Sequence, residues 1–157
     1  EIGSYEDGFF NLEVFGKADR VVYLAAYLYH YRRDGSSSVT SGYNPGLYDQ
    51  WQTLYDRMEA IIRSNQLGSE YEAALNNRIA LGILGLGLNI TVSTQSMGKK
   101  VKDIHRIIRQ ERYRKAYKNL PLNYFPIHWK LFYGCARHGF AFGVYVLLTV
   151  IQRIISR

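Results

Sequence analysis

Residues 69–90, SEYEAALNNRIALGILGLGLNI, carry the strongest folding signal in the sequence. Ser69 followed by Glu72 fits a capping box, which predicts that a helix starts here. Three glycines between residues 82 and 87 each weaken a helix by up to about 1 kcal/mol relative to Ala, so we expect another backbone to approach closely there. The apolar stripe that would face the core, with the spacing of one helix face, consists of Leu75, Ile79, Ile83, Leu86 and Ile90.

Helical periodicity continues on both sides of this segment. Upstream, apolar side chains follow the 3.6-residue period after Pro45. Downstream, a basic helix is predicted, then a break at residues 120–126 with a proline near each end, and then two apolar helices. The predicted helices cover about residues 47–62, 99–118, 127–137 and 139–156. We therefore expect residues 46–157 to be a helical, bundle-like extension.

The first 45 residues have a different pattern. A short helix is predicted over residues 4–17, with Ser4 as its N-cap. Residues 20–24 (RVVYL) and 27–32 (YLYHYR) are rich in β-branched and aromatic side chains and predict two short strands, followed by a loop at 34–46. The predicted fold class is mainly α: an α/β end-piece of one helix and two strands at 1–45, then the helical extension at 46–157.

Composition limits the classes of protein that this chain can belong to. It has 157 residues, of which 47% are hydrophobic, and a net charge of +7, which excludes a disordered or collagen-like chain. Cys135 is the single cysteine, so no internal disulfide forms and a reducing compartment is expected. Residue 1 is Glu and no signal peptide opens the sequence, so we expect a piece of a longer protein.

The dipeptide Glu6-Asp7 is the most informative chemical feature. In the first turn of a helix, a carboxylate faces unpaired backbone N–H groups and the positive end of the helix dipole, and both favour its charged form. An ionised Asp7 can accept the proton of a substrate hydroxyl as that hydroxyl attacks an electrophile. The alternative is that the two carboxylates only stabilise the start of the helix.

The sequence around this dipeptide resembles a known enzyme family. Glu6-Asp7 is followed by Phe10-Asn11 on the same predicted helix, then by a V-V-Y-L strand, a Tyr-x-Tyr-Arg strand and a Ser-rich loop. This combination, over about residues 1–45, resembles the end of the catalytic domain in family 2 glycosyltransferases. It resembles especially the bacterial enzymes that build capsular, exopolysaccharide or cell-wall glycans. The tail at 46–157 resembles the variable helical extension of such enzymes.

The resemblance implies an inverting GT-A type transferase. It would use a nucleotide-sugar donor, a glycan or lipid-linked acceptor and usually a divalent metal, Mg²⁺ or Mn²⁺. Asp7 would be the base that deprotonates the acceptor hydroxyl, and Glu6 would bind the acceptor or orient Asp7. His30 corresponds to a metal ligand of some members; the alternative is a hydrogen-bonded structural histidine.

Two further groups are implied as binding the donor diphosphate. Arg32 or Arg33 would bind its oxygens bidentately, although one of them can equally be a solvated charge at the end of a strand. Ser36, Ser37 and Ser38 would close over the diphosphate as a loop, or form only a linker. The family's nucleotide-binding half, with its Asp-x-Asp metal motif, is absent from these residues. The chain alone is therefore expected to be inactive and to bind no metal.

The positive charge is concentrated in residues 99–118, which hold nine lysines and arginines against Asp103 and Glu111. This stripe is either a solvated face of the bundle or a contact with an anionic membrane; nucleic acid is a weaker alternative. The segment at 139–157 supports the membrane interpretation, although a buried helix or a contact between copies of the chain would look similar. The expected location is the cytoplasm, with peripheral contact at the cytoplasmic face of the bacterial membrane. The rival function is a non-catalytic helical module that docks on such a membrane or on a partner protein.

Overall fold

The computed structural model describes residues 6–28 and 42–155 of the chain. These residues are mainly helical and contain no strand, which confirms the mainly α class. A single 3₁₀ turn at Leu122–Tyr124 occupies the predicted break. The helices are α1 (Glu6–Lys17), α2 (Leu47–Ser64), α3 (Ser69–Thr91), α4 (Met97–Ile108), α5 (Glu111–Asn119), α6 (Ile127–His138) and α7 (Ala141–Ile155).

Helix α3 is the central element of the bundle, and α2, α4, α5 and α7 pack around it. All five residues of its predicted apolar stripe are buried. The predicted capping box at Ser69 and Glu72 is wrong: Gly68 is the N-cap residue, Ser69 is already helical, and no side chain caps the helix. Among the described helices, α3 is also the one long and apolar enough to cross a membrane, although 44% of its apolar window is buried within the bundle.

The glycines of α3 make room for side chains rather than for another backbone, which corrects the prediction. A Cβ on Gly82 would lie 2.9 Å from the Trp51 ring, and one on Gly85 would lie 2.8 Å from the same ring. Trp51 and Tyr55 of α2 meet edge to face there, with ring centroids 6.3 Å apart. Gly87 contacts Leu148 of α7 instead. Glycine is thus required because large side chains of α2 and α7 fill the space next to α3.

The basic segment forms two helices, not the single helix predicted over 99–118. Helix α4 ends at Ile108, Arg109 is its C-cap, and Gln110 is extended (φ −64°, ψ 146°) before α5 begins at Glu111. The break lets Ile104 and Ile108 of α4 and Tyr113 of α5 all reach the core, where each is at most 1% exposed. A single straight helix over residues 99–118 would present only one stripe of side chains to the core.

Helices α6 and α7 form a tight helical hairpin, close to their predicted bounds. Gly139 adopts the left-handed conformation (φ 75°) that ends many helices, and the Phe140 N–H donates to the Cys135 carbonyl at 2.8 Å. Arg137 fixes the hairpin to the end of α5: its guanidinium donates to the carbonyls of Tyr117 at 2.8 Å and Lys118 at 3.0 Å. A cation at these carbonyls also matches the negative end of the α5 dipole.

The front of the chain departs most from prediction. Helix α1 begins at Glu6, within the predicted span of 4–17, whereas the proposed N-cap Ser4 lies outside the described residues. The strand predicted at 20–24 is not formed, and residues 27 and 28 of the second are not in a strand either; 29–32 lie outside the described part. High β-propensity does not hold a strand without a neighbour to pair with, and the described residues offer none.

Candidate functional site

The backbone places Glu6 and Asp7 at the first two positions of α1. The residues before them lie outside the described part of the chain. The positive end of the helix dipole lies at the same place, and it favours an ionised carboxylate. The backbone of both residues is helical, and their role as an acidic pair in the first turn stays a prediction.

A basic side chain from α3 lies against this first turn. The Arg78 guanidinium is so close to Gly8 that a Cβ there would stand 2.6 Å from Nη2 and 2.9 Å from Cζ. Any residue larger than glycine at position 8 would displace the guanidinium. Gly8 therefore allows the Arg78 guanidinium to lie against the α1 backbone, one residue after Asp7.

Arg78 also lies at the junction of two open cavities that together form a groove. One cavity, of about 280 Å³, lies between α1, α2 and α3 and includes Gly8, Asn11 and Arg78 in its wall. The other, of about 590 Å³, lies between α2 and α3 and includes Trp51, Asn77 and Arg78. The two cavities adjoin at Ala74 and Arg78, which line both, and together they are named here the α1–α3 groove.

The lining of the α1–α3 groove combines apolar walls with a few polar groups. Met58, Ile62 and Leu75 form its apolar side next to α1, and Tyr71 adds an aromatic ring. Amide side chains of Asn11 and Asn77 and the Arg78 guanidinium are the polar groups. Amides can bind hydroxyls and a guanidinium binds phosphate or carboxylate oxygens, so the groove is suited to a polyhydroxy ligand with an anionic group.

The other predicted site residues lie outside the described residues, so their placement is not tested. They are His30, Arg32, Arg33, Ser36, Ser37 and Ser38. Within residues 6–28 and 42–155, no three His, Cys, Asp or Glu side chains are grouped to hold a metal ion.

Sequence reasoning missed Arg78 and the groove around it. A signal was present, because Arg78 is the only charged residue between Glu72 and the end of α3. An arginine on a helix that packs into the core must reach solvent or a polar partner, since burying an unpaired charge is costly. The partner surface could not be read from the sequence, since Gly8 and Arg78 are seventy residues apart.

A second polar cluster joins α2 to α5, away from α1. Arg112 hydrogen-bonds Asp56, lies 3.4 Å from Glu59 and donates to Gln52 Oε1 at 2.9 Å. Burial alone would lower the pKa of Arg112, but the hydrogen bond to Asp56 and the charge of Glu59 raise it above its usual value. Every strong contact of this cation is thus made within the fold, which indicates a structural clamp.

Two buried tyrosines lie next to this clamp. Tyr113 accepts a hydrogen bond from Gln52 Nε2 at 3.2 Å, whereas the Tyr117 hydroxyl has no hydrogen-bond partner among the described residues. Burial raises the pKa of both phenols, that of Tyr117 well above its usual value. Both therefore remain neutral at physiological pH and carry no acid–base chemistry there.

Comparisons with protein-family models, with curated proteins and with solved structures found no match to this chain. The function of this chain is therefore inferred from three features of its own residues. Those are the acidic pair at the start of α1, the adjoining groove and the sequence pattern of residues 1–45.

Proposed function

We propose that this chain is the C-terminal part of an inverting, GT-A type glycosyltransferase of family 2 that acts in polysaccharide biosynthesis. The carrying observation is that Gly8, the residue after Asp7 on α1, lies against Arg78 and lines the α1–α3 groove. The sequence pattern of residues 1–45 gives independent support. A helix-terminal carboxylate next to a groove suited to polyhydroxy ligands is what an acceptor site of such an enzyme requires.

Asp7 is the general base in this mechanism. It takes the proton of an acceptor hydroxyl while that oxygen attacks the anomeric carbon of the donor sugar. The bond from the anomeric carbon to the diphosphate oxygen breaks on the opposite face, so the configuration inverts and a nucleoside diphosphate leaves. The dipole of α1 keeps Asp7 ionised before the reaction, and Glu6 binds the acceptor or orients the base.

The α1–α3 groove is the proposed acceptor site. Asn11 lies one turn after Asp7 on α1 and its amide can bind an acceptor hydroxyl. Tyr71 offers an aromatic face for a sugar ring, and Arg78 binds an anionic substituent or phosphate of the acceptor. In this arrangement the groove holds the acceptor and the first turn of α1 acts on its hydroxyl.

The donor is assigned to a nucleotide-binding half that these residues do not contain. Arg32, Arg33 and the three serines at 36–38 would contact its diphosphate from this side, and His30 would approach its divalent metal. The metal supplies charge neutralisation of the leaving diphosphate when bound in the full-length enzyme. The present chain alone is expected to transfer no sugar.

The test is Asp7→Asn in the protein that carries both halves. Loss of a general base is expected to lower kcat by roughly 10²–10⁴-fold, because the substituted amide cannot accept the proton. Donor binding, measured by calorimetry with the nucleotide diphosphate, should remain. The matched control is Glu13→Gln, which removes one carboxylate from the exposed side of the same helix and should leave turnover unchanged. Turnover by Asp7→Asn within a few fold of the parent would refute the assignment.

A further inference from the structure

Helix α7 has a second apolar face that points out of the bundle. Its inner face is fully buried, with Val144 and Leu148 at 0% exposure. The opposite side carries a row spaced by four residues, named here the α7 outer stripe. It consists of Phe142, Val146, Val150 and Ile154, which are 50%, 42%, 49% and 70% exposed. Four apolar side chains in line on one helix form a continuous exposed patch rather than scattered surface residues.

Neighbouring residues of α6 extend this patch. Ile127 and Leu131, one turn apart, are 81% and 57% exposed. The next position in their row is Cys135, whose sulfur would lie 3.1 Å from a Cβ on Gly143 of α7. The row therefore leads directly to the contact between the two helices. Phe140, which is 56% exposed, lies at the same junction.

Positive charges flank the α7 outer stripe at both ends. Arg109 of α4 lies over the start of α7, since its Nε would be 2.8 Å from a Cβ on Gly139. Arg153, which is exposed, lies at the other end of the stripe. No Asp or Glu occurs anywhere in the sequence after Glu111, so α6 and α7 carry only positive charge.

Helix α4 runs antiparallel beside α7 and adds more cations. Lys100, near the start of α4, donates to the carbonyl of Thr91 at 2.9 Å, and Thr91 hydrogen-bonds Gln152 near the end of α7. The end of α4 lies at the start of α7 through Arg109. The exposed side of α4 carries Lys102 and Arg106 at helical spacing from Arg109. Asp103, the one acidic residue of α4, lies 3.7 Å from both Lys99 and Arg106, so α4 keeps an excess of positive charge.

We propose that the α7 outer stripe, with the exposed cations of α4, binds the surface of a membrane that contains anionic lipids. An apolar row inserts at the boundary between headgroups and acyl chains, and lysines and arginines beside it contact the lipid phosphates. The stripe lies on the membrane rather than crossing it, because the opposite face of α7, with Val144 and Leu148, is buried against the bundle. This inference does not depend on the proposed glycosyltransferase activity.

Charge disfavours a second copy of the chain as the occupant. A two-fold contact through α7 places one antiparallel stripe on another. Arg109 of each copy would then lie near Arg153 of the other, and no acidic residue of α6 or α7 is present to compensate. Lipid phosphates supply the negative charge that a contact between two copies of α7 lacks.

The test is flotation of the 157-residue chain with vesicles of phosphatidylcholine, with or without phosphatidylserine. The chain should bind the anionic vesicles, bind pure phosphatidylcholine much more weakly, and dissociate as salt is raised. Val146→Gln with Val150→Gln should weaken binding by about tenfold, because two inserting side chains become polar. Neutralising Lys102, Arg106 and Arg109 with Gln should weaken it on the order of a hundredfold, since each cation contributes about fivefold.

Two controls match these variants. Phe10→Gln with Val14→Gln changes two apolar residues spaced by four on α1, which are 64% and 44% exposed. Lys17, Arg57 and Arg63, replaced together by Gln, remove three exposed charges from α1 and α2. Both controls should bind like the parent chain. Circular dichroism checks that each variant keeps its helix content. If the variant of Val146 and Val150 unfolds, the variant of Lys102, Arg106 and Arg109 still tests the proposal, because those three residues are exposed.

Several results would overturn the proposal. The parent chain could fail to bind anionic vesicles, or both controls could lose binding as much as the variants of the α7 surface. The proposal is also wrong if the chain with Val146→Gln and Val150→Gln binds anionic vesicles like the parent chain. A chain that is dimeric in solution, becomes monomeric with Val146→Gln and Val150→Gln, and ignores vesicles would assign this face to a second copy.

Discussion

Replacing Gly87 with Ala tests whether α3 and α7 pack as closely as the structure shows. A Cβ at this position would lie 3.1 Å from Leu148 Cδ2 and 3.3 Å from Cγ, and closer still to Cδ1. Carbon atoms pack best at about 3.5–4.0 Å, so the added methyl overlaps the side chain of Leu148, which is fully buried. Overpacking of this kind costs about 1–3 kcal/mol, whereas Ala gains up to about 1 kcal/mol over Gly in a helix.

The two effects leave a net loss of about 1 kcal/mol in the free energy of unfolding. Urea denaturation followed by circular dichroism measures it, and the Tm should fall by about 2–4 °C. Gly134→Ala is the matched control, since it lies inside α6 with no atom within 4 Å of a Cβ. That variant should be more stable than the parent by about 0.4–1 kcal/mol. A Gly87→Ala chain that is as stable as the Gly134→Ala chain would refute the described α3–α7 contact.

Two other substitutions test the groove and the core. In the full-length enzyme, Arg78→Gln should raise the acceptor KM by about 10–150-fold, because losing a charged hydrogen bond costs about 1.5–3 kcal/mol. Arg78→Lys should recover part of this loss. An unchanged KM would show that Arg78 is not part of the acceptor site. Tyr117→Phe should stabilise the chain by about 1–3 kcal/mol in urea denaturation, because the hydroxyl is buried without a hydrogen-bond partner. Tyr113→Phe, its control, should instead destabilise it by about 0.5–1.5 kcal/mol through loss of the bond from Gln52, and the same sign for both would contradict the assignment.

Local patterns predicted the helices because each helix satisfies its own backbone. The stripe from Leu75 to Ile90 needs only the 3.6-residue period to be recognised, and all its members are buried. The break at Gln110 was missed because charged residues surround it and the apolar period on each side is short. The break is determined by the burial of Tyr113 where α5 packs against α3, and the periodicity of the sequence carries no information about that contact.

Contacts between distant residues explain the remaining failures. The strand predicted at 20–24 depends on pairing with another strand, and propensity cannot supply that neighbour. Val22 and Tyr23 are 75% and 89% exposed, so the apolar character that suggested a strand is left without a packing partner among the described residues. Arg78 was missed for the same reason, since its importance depends on Gly8. The helix that contains Glu6 and Asp7 could be predicted because its pattern is local.

Helix α3 separates the α1–α3 groove from the α7 outer stripe. Gly85 faces Trp51 on α2 and Gly87 faces Leu148 on α7, and two residues lie about 200° apart around a helix, so α2 and α7 pack on nearly opposite sides. With axes about 8–10 Å apart, α2 and α7 are roughly 16–20 Å from each other. If both proposals hold, the lipid of a lipid-linked acceptor stays at the α7 surface while its glycan reaches the groove, where Arg78 binds an anionic substituent of the glycan. An acceptor with several sugars should therefore be used better than one with a single sugar next to the lipid phosphate.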